Sequence, residues 1–125
     1  KGIRKYVSVD GGMTDNIRPA LYQAKYESVI ANKAAQPSND LVTISGKCCE
    51  SGDILIRDAY MPLAERGDIL AVFSTGAYGY AMASNYNKNP FPATVLVKEG
   101  SSEVIVKRQK YEHMIANEVI PESLI

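Results

Sequence analysis

The sequence has 125 residues, enough for one domain with a real core and too few for two comfortable ones. Lys+Arg and Asp+Glu balance at 14 each, which excludes a basic nucleic-acid field and an acidic disordered tail. No apolar run nears the roughly 20 residues of a membrane helix.

The opening Lys1-Gly2-Ile3-Arg4-Lys5-Tyr6 carries charge without a signal-like apolar core, and it starts without Met, as if cut from something longer. Tyr6–Val9 alternates and ends at Asp10-Gly11-Gly12, a strand closing into a turn. Ile17–Tyr22 predicts a short helix, with Pro19 in its first turn and Asp15 or Asn16 as cap. Arg18 and Tyr22, four apart, then share a face; a guanidinium beside a phenol is suited to holding a carboxylate. Tyr26–Ala31 reads as a strand and Asn32–Asp40 as a loop. Leu41–Cys48 and Ile54–Arg57 read as strands, and Asp58–Gly67 as an irregular connection. Asp68–Phe73 is nearly all apolar and predicts a strand buried on both faces. Ser74–Ala83 predicts a tight turn and a short helix with a hydroxyl cap. Ala93–Lys98 and Glu103–Arg108, joined through Glu99-Gly100-Ser101-Ser102, form the clearest hairpin. Tyr111–Val119 predicts a closing helix, with His113 on its surface.

Short strands, many turns and little helix indicate a mainly β domain, closed or sandwiched, spanning residues 1–125. Its focus is Gly46-Lys47-Cys48-Cys49-Glu50-Ser51-Gly52-Asp53, which holds both cysteines and a carboxylate between two strands. The cysteines are adjacent and the one histidine is distant, so neither a Cys-x-x-Cys redox pair nor a zinc knuckle is present, and no metal is expected. Reduced thiols fit a cytoplasmic protein. Ser51 and Asp53 read as turn-formers, and Gly11, Gly12, Gly52 and Gly76 as positions of backbone freedom.

Asp10-Gly11-Gly12-Met13, Arg18-Pro19-x-Leu21-Tyr22, Cys49-Glu50-Ser51-Gly52-Asp53, and Gly76-Ala77-Tyr78 with Met82-Ala83-Ser84-Asn85-Tyr86-Asn87 occur in order. Together they resemble the C-terminal β-barrel or sandwich domain of bacterial diaminopimelate decarboxylases. These are alanine-racemase-like enzymes that use pyridoxal phosphate (PLP). The resemblance covers roughly Tyr6 through Pro121 and implies a two-domain enzyme. Its (β/α)8 barrel, absent from this chain, would carry the lysine that binds PLP, so the domain alone is expected to be inactive. It further implies that Cys49 is the proton donor and that Glu50 contacts the distal amino group of meso-diaminopimelate. Arg18 and Tyr22 would hold the distal carboxylate, and Tyr78 would reach both the cofactor phosphate and the substrate. A homodimer is implied, in which Cys49 and Glu50 serve the partner subunit's site and Arg18, Tyr22 and Tyr78 serve the other. Cys48 would be structural.

Two other readings remain open. Related decarboxylases of ornithine, arginine or carboxynorspermidine generally follow the cysteine with aspartate and lack the Arg-Pro-x-Leu-Tyr segment, so Glu50 and Arg18 weigh against them. A β interaction module without chemistry of its own is the third.

Overall fold

The computed structural model describes residues 3–125; the opening Lys1-Gly2 lies outside them. The chain divides into two compact units, Lys1–Ala83 and Ser84–Ile125. Among the described residues, no helix is long and apolar enough to cross a membrane.

The first unit is built on a three-stranded sheet. β1 (Tyr6–Ser8) pairs in parallel with β3 (Asp40–Ser45), which pairs antiparallel with β4 (Ile54–Met61). β2 (Ser28–Ile30) and β5 (Leu70–Val72) form a separate antiparallel pair. The core comprises Ile30, Val42, Ile44, Leu55 and Met61, each side chain contributing about 1.5–3 kcal/mol through burial. β4 runs four residues past the predicted Arg57. Ladder partners advance from Ile44↔Ile56 to Val42↔Ala59, so β4 carries one extra residue there, and Asp58 absorbs it at φ 54°. That bulge lets a polar pair sit inside a strand. β5 is shorter than expected and only half-buried; its neighbours Ile69 and Phe73 are exposed, which corrects the prediction of burial on both faces.

The first helix, α1, spans Arg18–Tyr22, with Pro19 in its first turn. Its cap is Ile17, without a side-chain bond, rather than Asp15 or Asn16. Asp15 instead accepts a hydrogen bond from the Gly12 amide at 3.0 Å, closing the preceding loop. α2 (Gly76–Met82) is broken at Ala77 and Tyr78, and Thr75 provides no side-chain cap.

An ion cluster secures the β2–β5 pair. Lys33 contacts Glu65 at 2.6 Å and Asp68 at 2.7 Å, while the Asn32 amide donates to Asp68 at 2.7 Å. Lys33, then Asn32 and the Glu65 amide, hold the Asp68 carboxyl at about 2, below its ordinary 3.8. A depressed carboxylate stabilises the fold above its ordinary value, and that stabilisation is lost as pH falls toward the folded value. Acid unfolding followed by circular dichroism should therefore show a loss of stability between about pH 4 and pH 2. Asp68→Asn should flatten that part of the slope; an unchanged slope would remove the ion cluster as its source.

The second unit contains the hairpin β6 (Thr94–Lys98) and β7 (Ser101–Val106). Its connection is two residues, Glu99-Gly100, both at positive φ (50° and 78°), shorter than the four-residue link expected. Val95, Leu96 and Val97 on β6 and Val104 and Ile105 on β7 are all exposed. The closing helix α3 (Tyr111–Met114) stops five residues before the predicted Val119. His113 is exposed as expected, and its Nδ1 accepts a hydrogen bond from the Lys110 amide at 3.1 Å. Among the described residues the fold is mainly β with short helices, and its strands form three separate sheets rather than one closed barrel.

Candidate functional site

The cysteine loop joins β3 to β4 and is pinned at its base, where the Gly46 amide donates to the Asp53 carbonyl at 2.9 Å. Inside it, Glu50 N–H donates to the Cys48 carbonyl (2.8 Å) and Asp53 N–H to the Glu50 carbonyl (3.0 Å). These bonds satisfy the backbone without a regular hairpin turn and leave Cys49 and Glu50 exposed at the tip.

Asp53, expected to be a turn-former, is buried, with 2% of the residue exposed. Oδ2 accepts from the Cys48 amide at 2.7 Å, and Oδ1 accepts from the Met13 amide, forty positions away, also at 2.7 Å. Among the described residues no Lys or Arg nitrogen lies within 4.0 Å of it, so backbone N–H groups carry the compensation of its charge. The turn-former assigned from sequence is thus a buried clamp between two loops. A further bond, Lys47 N–H to the Gly11 carbonyl at 3.2 Å, runs parallel to it.

Two glycines make room for this carboxylate. A Cβ on Gly46 would fall 2.2 Å from Asp53 Oδ2, and one on Gly12 would fall 2.8 Å from the same atom. Gly12 is therefore required for space rather than for the backbone freedom expected of it. Glycines facing a buried acid were the available signal, but only the fold shows that they face it.

Cys48 is half-buried, and burial together with the Asp53 carboxylate pushes its thiol above the ordinary value. Cys49, by contrast, is exposed.

Arg18, Tyr22 and Tyr78 come together on α1 and α2. The Arg18 guanidinium carbon lies 5.4 Å from the Tyr22 ring centre and 5.1 Å from that of Tyr78. A cation over two exposed rings gains about 0.5–1 kcal/mol at each, and its donors remain available to an anion. Tyr78 occupies the left-handed region at φ 67°, ψ −17°. Such a conformation costs a bulky residue about 1–3 kcal/mol and concentrates at functional sites. The break in α2 places that ring beside Arg18.

Two grooves of about 730 and 960 Å³ open on this unit, and neither is lined by Cys49, Glu50, Arg18, Tyr22 or Tyr78. Cys49, Glu50, Tyr22 and Tyr78 are exposed, and Arg18 is half-buried.

Residues 1–76 match the family model of the pyridoxal-dependent decarboxylase C-terminal sheet domain. The chain belongs to this family. It is 58% identical over 114 residues to the diaminopimelate decarboxylase of Bacillus subtilis, covering 91% of this chain and 26% of that protein. With the Bacillus methanolicus diaminopimelate decarboxylase the identity is 62% over 107 residues, 86% of this chain and 25% of that protein. Among solved structures, the diaminopimelate decarboxylase from M. jannaschii in complex with L-lysine superposes with a TM-score of 0.88 at 36% identity. That match covers 100% of this chain and 28% of the other. The chain thus spans about a quarter of the length of the curated relatives it matches.

Decarboxylases of this family are pyridoxal-dependent, and Tyr78 provides the test of fit. Its ring is exposed, set by a strained backbone and braced by Arg18. A phenol so placed, with a guanidinium alongside, is suited to contacting an anionic group such as the cofactor phosphate.

Proposed function

We propose that this chain is the C-terminal β domain of a PLP-dependent diaminopimelate decarboxylase, which converts meso-2,6-diaminopimelate to L-lysine and CO2. The carrying observation is the Arg18–Tyr22–Tyr78 cluster, in which a half-buried arginine sets its guanidinium between two exposed phenols. Sequence identity of up to 62% to proteins of that name supports the reading. PLP, bound to a lysine of a (β/α)8 barrel domain, supplies the sink for the electron pair released with CO2.

The residues of this chain do the rest. Arg18 and Tyr22 bind the distal carboxylate, the group that separates diaminopimelate from lysine. Tyr78 contacts cofactor phosphate and substrate. Glu50 pairs with the distal amino group. Cys49 holds the proton delivered to the carbon that has lost its carboxyl, and a thiol is acidic enough to donate it.

The open setting of these residues supports a composite site completed by other polypeptide. In the homodimer we propose, Cys49 and Glu50 reach the partner subunit's site, and Arg18, Tyr22 and Tyr78 serve the other. Reduced adjacent thiols are in keeping with a cytoplasmic enzyme.

The discriminating experiment is steady-state kinetics of Arg18→Ala in the full-length enzyme. Loss of a charged hydrogen bond, about 1.5–3 kcal/mol, should raise KM for diaminopimelate about 10- to 100-fold. An unchanged KM would point instead to a substrate without a distal carboxylate.

A further inference from the structure

We propose that Asp53 is a positioning residue for the proton donor: its buried carboxylate fixes the Cys48 amide and thereby the place from which Cys49 presents its thiol. The inference rests on the reading of Cys49 as the acid and adds a residue to it.

The hydrogen bonds inside the tip, from Glu50 N–H to the Cys48 carbonyl at 2.8 Å and from Asp53 N–H to the Glu50 carbonyl at 3.0 Å, are local to the loop. Cys49 and Glu50 are exposed, and the neighbouring Ser51 and Gly52 are exposed as well. Against that, Asp53 Oδ2 grips the amide directly before Cys49 at 2.7 Å, and Oδ1 anchors the same carboxylate to Met13 at 2.7 Å. Anchored at both oxygens, the carboxylate is a fixed point rather than a swinging side chain. The arrangement is costly: a charge buried without a Lys or Arg partner among the described residues, and two glycines kept clear of it. A surface turn would need none of this, whereas a proton donor must be placed closely, since a misplacement of about 1 Å can cost about 100-fold in rate.

The same carboxylate also reaches the segment leading into α1. Met13 lies five residues before Arg18, so one buried group ties the donor loop to the chain that carries the anion clamp. The neutral amide of Asn at position 53 would keep the shape while turning an NH2 toward one of the two backbone donors. That makes Asp53→Asn the informative substitution.

The test is a double-mutant cycle in the full-length, PLP-loaded enzyme, together with chemical modification of the thiols. Asp53→Asn should lower kcat about tenfold or more while leaving KM for diaminopimelate within about twofold. In a Cys49→Ala background the same change should add less than about a twofold loss. Independently of turnover, iodoacetamide labelling of the apoenzyme, mapped by peptide mass spectrometry, should modify Cys48 about tenfold faster in D53N. Asn can accept from only one of the two amides, and it removes a charge that, after burial, raises the Cys48 thiol above its ordinary value.

Equal kcat losses in both backgrounds, or a KM rise matching the kcat loss, would assign Asp53 a purely structural role and overturn the proposal. So would an unchanged labelling rate. Should D53N not yield soluble enzyme, Gly12→Ala displaces the same carboxylate more gently, and a kcat loss confined to enzymes retaining Cys49 is again expected. Full turnover in Cys49→Ala alone would instead remove the acid assignment beneath the proposal, while the Cys48 labelling would still report on the clamp.

Discussion

Cys49→Ala should lower kcat of the full-length enzyme about 100- to 10,000-fold, the usual contribution of a placed general acid. The substitution removes an exposed sulfur at a loop tip, so packing and hydrogen bonding in the β3–β4 sheet are untouched. Thermal stability should stay within about 0.5 kcal/mol of the parent, as for exposed positions generally. Absorbance of the bound cofactor should persist, because PLP is held elsewhere. Turnover close to the parent value would show that the proton comes from another group, and Glu50 would be the next to examine.

Gly46→Ala should be the most damaging glycine-to-alanine change among the described residues. The new Cβ would lie 2.2, 2.4 and 2.5 Å from Oδ2, Oδ1 and Cγ of Asp53, all well inside contact distance. Either the carboxylate leaves its two backbone donors or the β3 end moves away, and both options strain a buried charge. The expected cost is on the order of 3 kcal/mol or more, combining overpacking with the exposure of an unpaired buried carboxylate. Hydrogen exchange read by mass spectrometry should show lost protection of the Met13 and Cys48 amides, the two that Asp53 accepts from. Retained protection there would mean that the loop shifts as a body and the clamp survives.

Much of the site's local structure could be read from the chain because it depends on neighbours. The thiol and its following acid lie between two apolar runs, so their exposure at a loop tip follows from strand patterning. The Arg18–Tyr22 pairing follows from helical spacing, and the hairpin from a glycine turn between β-branched runs. What escaped depends on distant partners. Asp53 resembles any Ser-Gly-Asp turn residue until Met13 is brought to it across the fold. The prediction ends β4 at Arg57 and starts an irregular connection at Asp58, whereas a bulge at Asp58 carries the strand on to Met61. Apolar content over Asp68–Phe73 predicts enclosure on both faces, but Ile69 and Phe73 are exposed. The left-handed turn at Tyr78 has no local signature either, since glycine stands one residue later, at position 79.

The β6–β7 hairpin has a practical consequence. Its exposed valine-rich strands contain no proline and two charged side chains, Lys98 and Glu103, with Glu99 a third in the turn. A two-stranded ribbon has an outer rim along each side, where unpaired amide and carbonyl groups can accept another strand. Such a ribbon invites edge-to-edge pairing into fibrous material whenever it is produced in quantity without cover. Handling this polypeptide by itself therefore calls for low concentration or a charged residue placed on that rim.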